Sequence, residues 1–334
     1  MDKERQLLMQ KHITVSVIMP LYNEEKYIAE CMDSLLLQDY PKEQMEWIFV
    51  DGQSKDRTVS ILECYKNKYP HLINVYENPN KTVPFAMNIG IEKANGKYII
   101  RLDAHADYAR DYISKCVYYL DTINADNVGG VAATKARTPF GNTIAKMLST
   151  KFGVGNSQFR INGKSGYVDT VPFGAFRKEV FDRLGGYDER LTRNQDNEMN
   201  YRIRKTGGKI YMSEDLRLTY YCRDTIKGIC DMAFKNGKWN VITMRFVPGS
   251  MGIRHFVPLA FLLSLIALGT SAIYYRPMII ILLFELLLYF ICDSYFSAKA
   301  ANSIKEFFQL VYLHFIFHIS YGTGSLVGLC SRTK

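Results

Sequence analysis

The chain has 334 residues, 48% of them hydrophobic, with Lys+Arg 42 against Asp+Glu 33 and a net charge of +9. That apolar content, with only 23 Gly and 10 Pro, excludes a disordered or collagen-like chain. Seven cysteines in scattered positions, an odd number with no Cys-x-x-Cys pair, exclude a disulfide framework and read as reduced thiols facing the cytosol.

Residues 1–12 are charged and polar, and the apolar stretch 13–21 is too short for a signal peptide and lacks a cleavage site, so about the first 250 residues are expected to stay in the cytoplasm. Residues 13–19 alternate, are rich in β-branched side chains and stop at Pro20, which predicts a strand. Helical spacing follows at 27–39 (Ile28, Cys31, Met32, Leu35, Leu36), then a short apolar strand at 46–50 ending at Asp51. A helix at 58–69, a strand at 73–77, a helix at 84–94 and a strand at 98–102 complete the series, the last ending at Asp103. Strand and helix alternating at this spacing predict a parallel α/β sheet, in which ligands bind beyond the carboxyl ends of the strands. Those ends carry Asn23-Glu24, Asp51 and Asp103.

The mean hydropathy of -0.11 conceals two unlike parts. Past Arg254 only Arg276, Lys299, Lys305, Arg332 and Lys334 are basic, and only Glu285, Asp293 and Glu306 are acidic. Three apolar runs, 256–275, 277–296 and 307–330, each have about the 20 residues that a helix needs to cross a bilayer. The expected division is a catalytic domain at 1–254, with a basic juxtamembrane approach, and a membrane domain at 255–334. Gly322, Gly324 and Gly328 interrupt the third run and suggest a broken or re-entrant segment. Glu285 is expected to pair with a histidine of that run, and His314 and His318 to bond between helices.

The first strand is followed by Pro20-Leu21-Tyr22-Asn23-Glu24, with no Gly-x-Gly-x-x-Gly, and no Gly-Lys-Ser/Thr loop exists. Dinucleotide dehydrogenases and P-loop ATPases are thereby excluded. Basic residues interleave with acids and no recognition motif appears, so nucleic acid is not an expected partner.

Seven motifs occur in order: 17–24 (Val-Ile-Met-Pro-Leu-Tyr-Asn-Glu), 50–58 (Val-Asp-Gly-Gln-Ser-Lys-Asp-Arg-Thr), 88–90 (Asn-Ile-Gly), 102–107 (Leu-Asp-Ala-His-Ala-Asp), 185–189 (Gly-Gly-Tyr-Asp-Glu), 194–198 (Asn-Gln-Asp-Asn-Glu) and 235–239 (Lys-Asn-Gly-Lys-Trp). Together they resemble a family-2 glycosyltransferase of the GT-A fold, a Rossmann-like α/β domain that binds nucleotide-diphospho-sugars. The resemblance covers roughly 14–239. With the apolar tail, including His318-x-x-Tyr321-Gly322-x-Gly324, it is similar to the membrane branch that builds bacterial exopolysaccharides, such as succinoglycan-type glucosyltransferases.

The resemblance implies a donor-nucleotide site at Pro20, Tyr22, Glu24, Asp51, Asn88 and Asp103. Asp51 can accept from the N–H edge of a uracil; by itself Asp51-Gly52 reads as a turn. Asp103-Ala104-His105 stands where the family has Asp-x-Asp. On an extended segment residues i and i+2 point the same way, so Asp103 and His105 can face one divalent metal, with Asp107 a substitute. Imidazole suits Mn²⁺ better than Mg²⁺. Asp196 stands at the position of the family's catalytic base, with Gln195 in place of the usual glutamate; Asn194 or Asp196 is also a good N-cap. Lys235, Lys238 and Trp239 replace a Gln/Arg-x-x-Arg-Trp signature. The two lysines would act on the diphosphate and the indole would floor the acceptor sugar.

The reading is a metal-dependent inverting hexosyltransferase at the cytoplasmic face of the cell membrane, using a UDP-sugar, UDP-hexose first, and a polyprenyl-diphosphate-linked glycan acceptor. One alternative transfers sugar directly to polyprenyl phosphate. A second, of another class, is an inactive membrane scaffold with the same fold.

Overall fold

In the computed structural model, which describes residues 13–161 and 163–331, the two apolar runs predicted first become adjacent strands buried almost along their whole length. β1 (Val15–Leu21) pairs in parallel with β2 (Met45–Asp51), with Ile18 opposite Ile48 and Leu21 opposite Asp51. β2 pairs in parallel with β3 (Ile73–Glu77), and β1 with β4 (Tyr98–Arg101). Strands covered on both faces read as continuous apolar runs, and Val17, Ile18, Trp47 and Ile100 are fully or almost fully buried. The charged N-terminal segment and Arg332 and Lys334 lie outside the described residues.

Helices α1 (Ile28–Leu36), α2 (Thr58–Lys68) and α3 (Val83–Lys93) make the crossovers. α1 buries Ile28, Cys31, Met32 and Leu35, the stripe that its spacing predicts. The sheet is parallel only in this first half. β5 (Ala106–Tyr108), β6 (Asn127–Lys135), β7 (Gly166–Tyr167), β8 (Ala175–Arg177) and β9 (Ile210–Tyr221) extend it in the order β3-β2-β1-β4-β8-β6-β9-β5, with β7 on β9. β8 is antiparallel to both β4 and β6, and β5 and β7 are antiparallel to β9. A mixed sheet therefore corrects the parallel expectation beyond β4. Helices α4 (Tyr112–Thr122), α7 (Lys178–Leu184) and α8 (Gln195–Lys205) belong with it.

The chain forms two compact units. One runs to Ala132 and takes in Lys164–Tyr220; the other joins Ala133–Gly163 to the chain from Tyr221 onward. The contact boundary thus differs from the one expected at Arg254. Hydropathy marks where lipid-soluble sequence begins, whereas contacts also recruit α5 (Pro139–Met147), α6 (Lys151–Val154) and α9 (Ile226–Phe246). Thr138, Thr150 and Thr225 cap these three helices through their side-chain oxygens, which accept from Gly141, Gly153 and Gly228 N–H at 3.0–3.1 Å.

Three further helices of this second unit, α10 (Val257–Tyr274), α11 (Met278–Ala300) and α12 (Ile304–Cys330), are long and apolar enough to cross a membrane. α12 is one continuous helix of 27 residues, which corrects the expectation of a broken segment. Its glycines serve close packing. A Cβ on Gly324 would stand 2.0 Å from the Phe234 carbonyl oxygen, and one on Gly237 of α9 would stand 2.0 Å from that of Tyr321. Asp293, Ser297 and His314 are turned inward and wholly buried. His314 Nδ1 lies 2.7 Å from Asp293 Oδ1 and Nε2 lies 2.9 Å from Thr150 Oγ1; His318 meets Tyr289 Oη at 2.9 Å and the Phe152 carbonyl at 3.0 Å. Glu285 accepts from Ser264 rather than from a histidine. A serine one helix away at the same depth answers the carboxylate, because both histidines are already engaged.

Candidate active site

A cleft opens beyond the carboxyl ends of β1 and β4. Pro20, Tyr22 and Glu24 line it from the first strand, Asn78, Lys81 and Thr82 from the turn before α3, and Arg101, Asp103 and His105 from the fourth. The β1 rim is built by local polar bonds. Asn23 adopts a left-handed φ of 56°, accepts from Lys55 N at 2.9 Å through its side chain, and donates its own N–H to Ser54 Oγ at 2.8 Å. Glu24 N–H donates to Thr58 Oγ1 at 2.7 Å. The turn that receives these bonds is itself held by Asp51, whose oxygens accept from Ser54 N at 2.9 Å and Ser54 Oγ at 2.6 Å.

Asp51 thus holds the turn at the end of β2, a role its carboxylate can fill with acceptor capacity to spare. Asn88 makes a contact of its own. Its carboxamide grips one residue from both sides, accepting from Tyr187 N at 2.7 Å and donating to Tyr187 O at 2.9 Å. Gly186 is required beneath that grip, since a Cβ there would stand 2.3 Å from Asn88 Oδ1. Two motifs far apart in sequence, at 88–90 and 185–189, are thus one structural clamp.

Asp103 sits two residues beyond β4, its N–H donating to the buried Tyr108 hydroxyl at 2.8 Å. His105 is half-exposed, with Nδ1 3.6 Å from Glu24 Oε1 and its ring edge-on to Tyr220. Asp107 is exposed on β5, on the face opposite Ala106 and Tyr108, and is absent from the cleft wall. Among the described residues no group of three or more His, Cys, Asp and Glu side chains could hold a metal ion. A donor set of Asp103 and His105 is therefore partial. That fits a hard cation which takes its remaining oxygens from a diphosphate and water.

Asp196 lies in the first turn of α8 behind Asn194, which takes the N-cap position in a left-handed conformation (φ 64°) and makes no side-chain cap bond. Sequence reading missed its partner, Arg101. The guanidinium donates through Nη1 to Asp196 Oδ1, while Nη2 stands 3.5 Å from Asp103 Oδ1. Burial pushes the Asp196 carboxyl above its ordinary value, Arg101 pulling the other way and Asp103 adding to the rise. Burial opposes the charge on Arg101, but its two carboxylates outweigh that and hold its pKa above the usual one. The alternation that aligned Asp103 with His105 points, one step back, to Arg101, a lone cation in an apolar strand.

α8 is fixed from behind. Asn127 donates to Asn200 Oδ1 at 2.7 Å, and Asn200 donates to Thr170 Oγ1 at 2.8 Å, all buried. Arg202 spans Glu198 at 2.6 Å and the carbonyls of Leu184 and Gly186, both at 2.7 Å. Lys235, Lys238 and Trp239 lie on α9 in the second unit, with Lys235 paired to Asp231 at 2.6 Å.

The Glycosyl transferase family 2 domain matches residues 16–185, half of the chain. This protein belongs to glycosyl transferase family 2. Over 320 residues, 92% of this family-2 enzyme and 95% of the relative, it is 29% identical to the dolichyl N-acetyl-alpha-D-glucosaminyl phosphate 3-beta-D-2,3-diacetamido-2,3-dideoxy-beta-D-glucuronosyltransferase of Methanococcus voltae. It is 28% identical over 249 residues to the succinoglycan biosynthesis protein ExoA of Rhizobium meliloti, covering 73% and 74% of the two chains. In fold it is similar to mannosyltransferase PcManGT from Pyrobaculum calidifontis, solved with GDP-Man and Mn²⁺, at a TM-score of 0.64 and 19% identity over 95% of this chain and 88% of that one. Staphylococcus aureus TarS 1–349 with UDP-GlcNAc gives 0.51 and 17%, over 94% and 91%. The GT-A fold expected from the motifs is the observed one, followed by the three apolar helices. The glycosyltransferase is an enzyme of glycan biosynthesis.

Proposed function

We propose that this glycosyltransferase is a membrane-anchored, metal-dependent, inverting hexosyltransferase. It moves a sugar from a UDP-sugar to a polyprenyl-diphosphate-linked glycan at the cytoplasmic face of the membrane. The observation that carries this reading is a cleft lined by Asp103 and Arg101, whose buried guanidinium joins Asp103 to Asp196 on α8. Pro20, Tyr22, Glu24 and Asp51 border the nucleoside, and Asn88 holds the neighbouring loop. Asp196 takes the proton of the acceptor hydroxyl as its oxygen bonds to the anomeric carbon. The bond from that carbon to the diphosphate breaks, and the electron pair leaves with the nucleotide. A single displacement of this kind inverts the centre. Asp103 and His105 are the residues that would hold a divalent cation, Mn²⁺ or Mg²⁺, whose chemistry is to neutralise the leaving diphosphate. The motif resemblance assigns Lys235 and Lys238 a role on that anion and Trp239 one on the acceptor sugar.

The dolichyl-phosphate-linked acceptor in the name of the Methanococcus voltae relative supports a lipid-linked acceptor, and the succinoglycan biosynthesis in the name of ExoA supports a polysaccharide role. The Mn²⁺ and sugar nucleotides of the two solved structures support the donor chemistry. The test is a screen of UDP- and GDP-sugars with detergent-purified protein, reading released nucleotide with and without EDTA. A UDP-hexose should be turned over, Mn²⁺ should restore activity lost to EDTA, and Asp103→Ala should be inactive. Product NMR should show a β linkage from the α-linked donor. Undiminished turnover in EDTA overturns the metal, retention overturns the single displacement, and release from no donor supports the scaffold.

A further inference from the structure

Arg101 ends β4, whose other members Tyr98, Ile99 and Ile100 are wholly buried. Its side chain keeps only 6% of its surface, and a guanidinium so enclosed is stable only where its charge is met. Two carboxylates from different elements meet it through different nitrogens. Nη1 donates to Asp196 in the first turn of α8, and Nη2 faces Asp103 at the more relaxed distance of 3.5 Å. The close arm thus belongs to the acceptor-side carboxylate. The long arm leaves Asp103 able to serve the donor without releasing Asp196.

A planar fork can serve two carboxylates at once, whereas an ammonium is a single point of charge. Asn194 makes no side-chain cap bond to α8, and the Asp196 carboxylate is met from β4 by Nη1 of Arg101. We propose that Arg101 is a positioning residue for transfer: it orients Asp196 toward the acceptor hydroxyl and sets that carboxylate in fixed relation to Asp103 on the donor side. This inference rests on the reading of Asp196 as the base, and its test keeps the two apart.

The experiment is a double-mutant cycle in the detergent-purified full chain, with Arg101→Lys, Asp196→Asn and the pair. Turnover is read with the sugar nucleotide that the donor screen identifies, and UDP affinity by calorimetry in Mn²⁺. Displacing a reacting group by about an ångström costs on the order of 10²-fold, so Arg101→Lys should lower kcat by about that factor. Donor KM and UDP affinity should change by no more than about threefold. On the Asp196→Asn background the lysine should cost nothing further, because a residue acting through Asp196 has no base left to orient. Arg101→Gln, with no cation at all, should be worse than Arg101→Lys. Additive losses in the cycle overturn the proposal while leaving Asp196 as base. A loss of UDP affinity as large as the loss of kcat also overturns it, showing that Arg101 merely holds the cleft together. An Asp196→Asn enzyme within a few-fold of wild type overturns the base itself, whatever Arg101 does.

Discussion

Asp196 retains a third (33%) of its side-chain surface but stands deep enough in protein that burial, the largest influence on it, raises its pKa. A base must be ionised to act, so activity should fall as the pH drops through this raised value. The acid limb of the rate profile then lies above the roughly 3.9 of an ordinary aspartate. The sign for stability is opposite. The folded state binds this proton more tightly than the unfolded chain, so the stabilising contribution is complete below the unfolded value and is lost as pH rises through the folded one. Asp196→Asn should keep UDP affinity, lose between about 10² and 10⁴ in kcat and flatten the acid limb. Single-turnover kinetics across pH beside calorimetric UDP titration checks this; an unchanged limb in the variant assigns the titration to another group.

At the scale of elements, α9 and α12 meet where backbone touches backbone, and glycine is what permits it. A methyl group on Gly324 would stand 2.0 Å from a carbonyl oxygen, with Gly328 similarly close to that of Lys238 at 2.7 Å. Gly269 in α10 has nothing within 4 Å of its would-be Cβ. Gly324→Ala should therefore destabilise by overpacking, about 1–3 kcal/mol or more, and lower the midpoint of thermal unfolding in detergent. Gly269→Ala, freed of the helix penalty of glycine, should leave it unchanged or raise it by up to about 1 kcal/mol of stability. Equal effects of the two would show that the close approach does not bear on stability. Composition alone marks three glycines in a helix as breakers; only their neighbours reveal them as contact points.

At the scale of the molecule, α10 and α11 combine mean hydropathies of 2.2 and 2.1 with apolar stretches that are only 6% buried. That exposed apolar surface belongs in lipid rather than water. α12 differs, at 1.2 and 39% buried, because it packs on α9 and carries the inward-facing His314. The chain should fractionate with membranes and resist carbonate extraction, and protease should reach the first unit only from the cytoplasmic side. A fully extractable chain, or one cut from the outer face of intact cells, defeats this topology.

Sequence by itself determined what local pattern controls: the four parallel strands, the stripe on α1, the apolar helices, and the motifs that mark the family and fold. The predicted parallel sheet also placed Asn23-Glu24, Asp51 and Asp103 at one sheet edge, because strand ends are local properties. Tertiary structure decided what depends on partners distant in the chain. Arg101 and Asp196 are 95 residues apart and Asn88 and Tyr187 are 99, so neither contact leaves a periodic trace. The bonds from Ser54 that hold Asp51 in its turn are likewise a matter of the folded loop. Burial of a charge and contact between two backbones are long-range facts, set by whichever group the folded chain brings alongside.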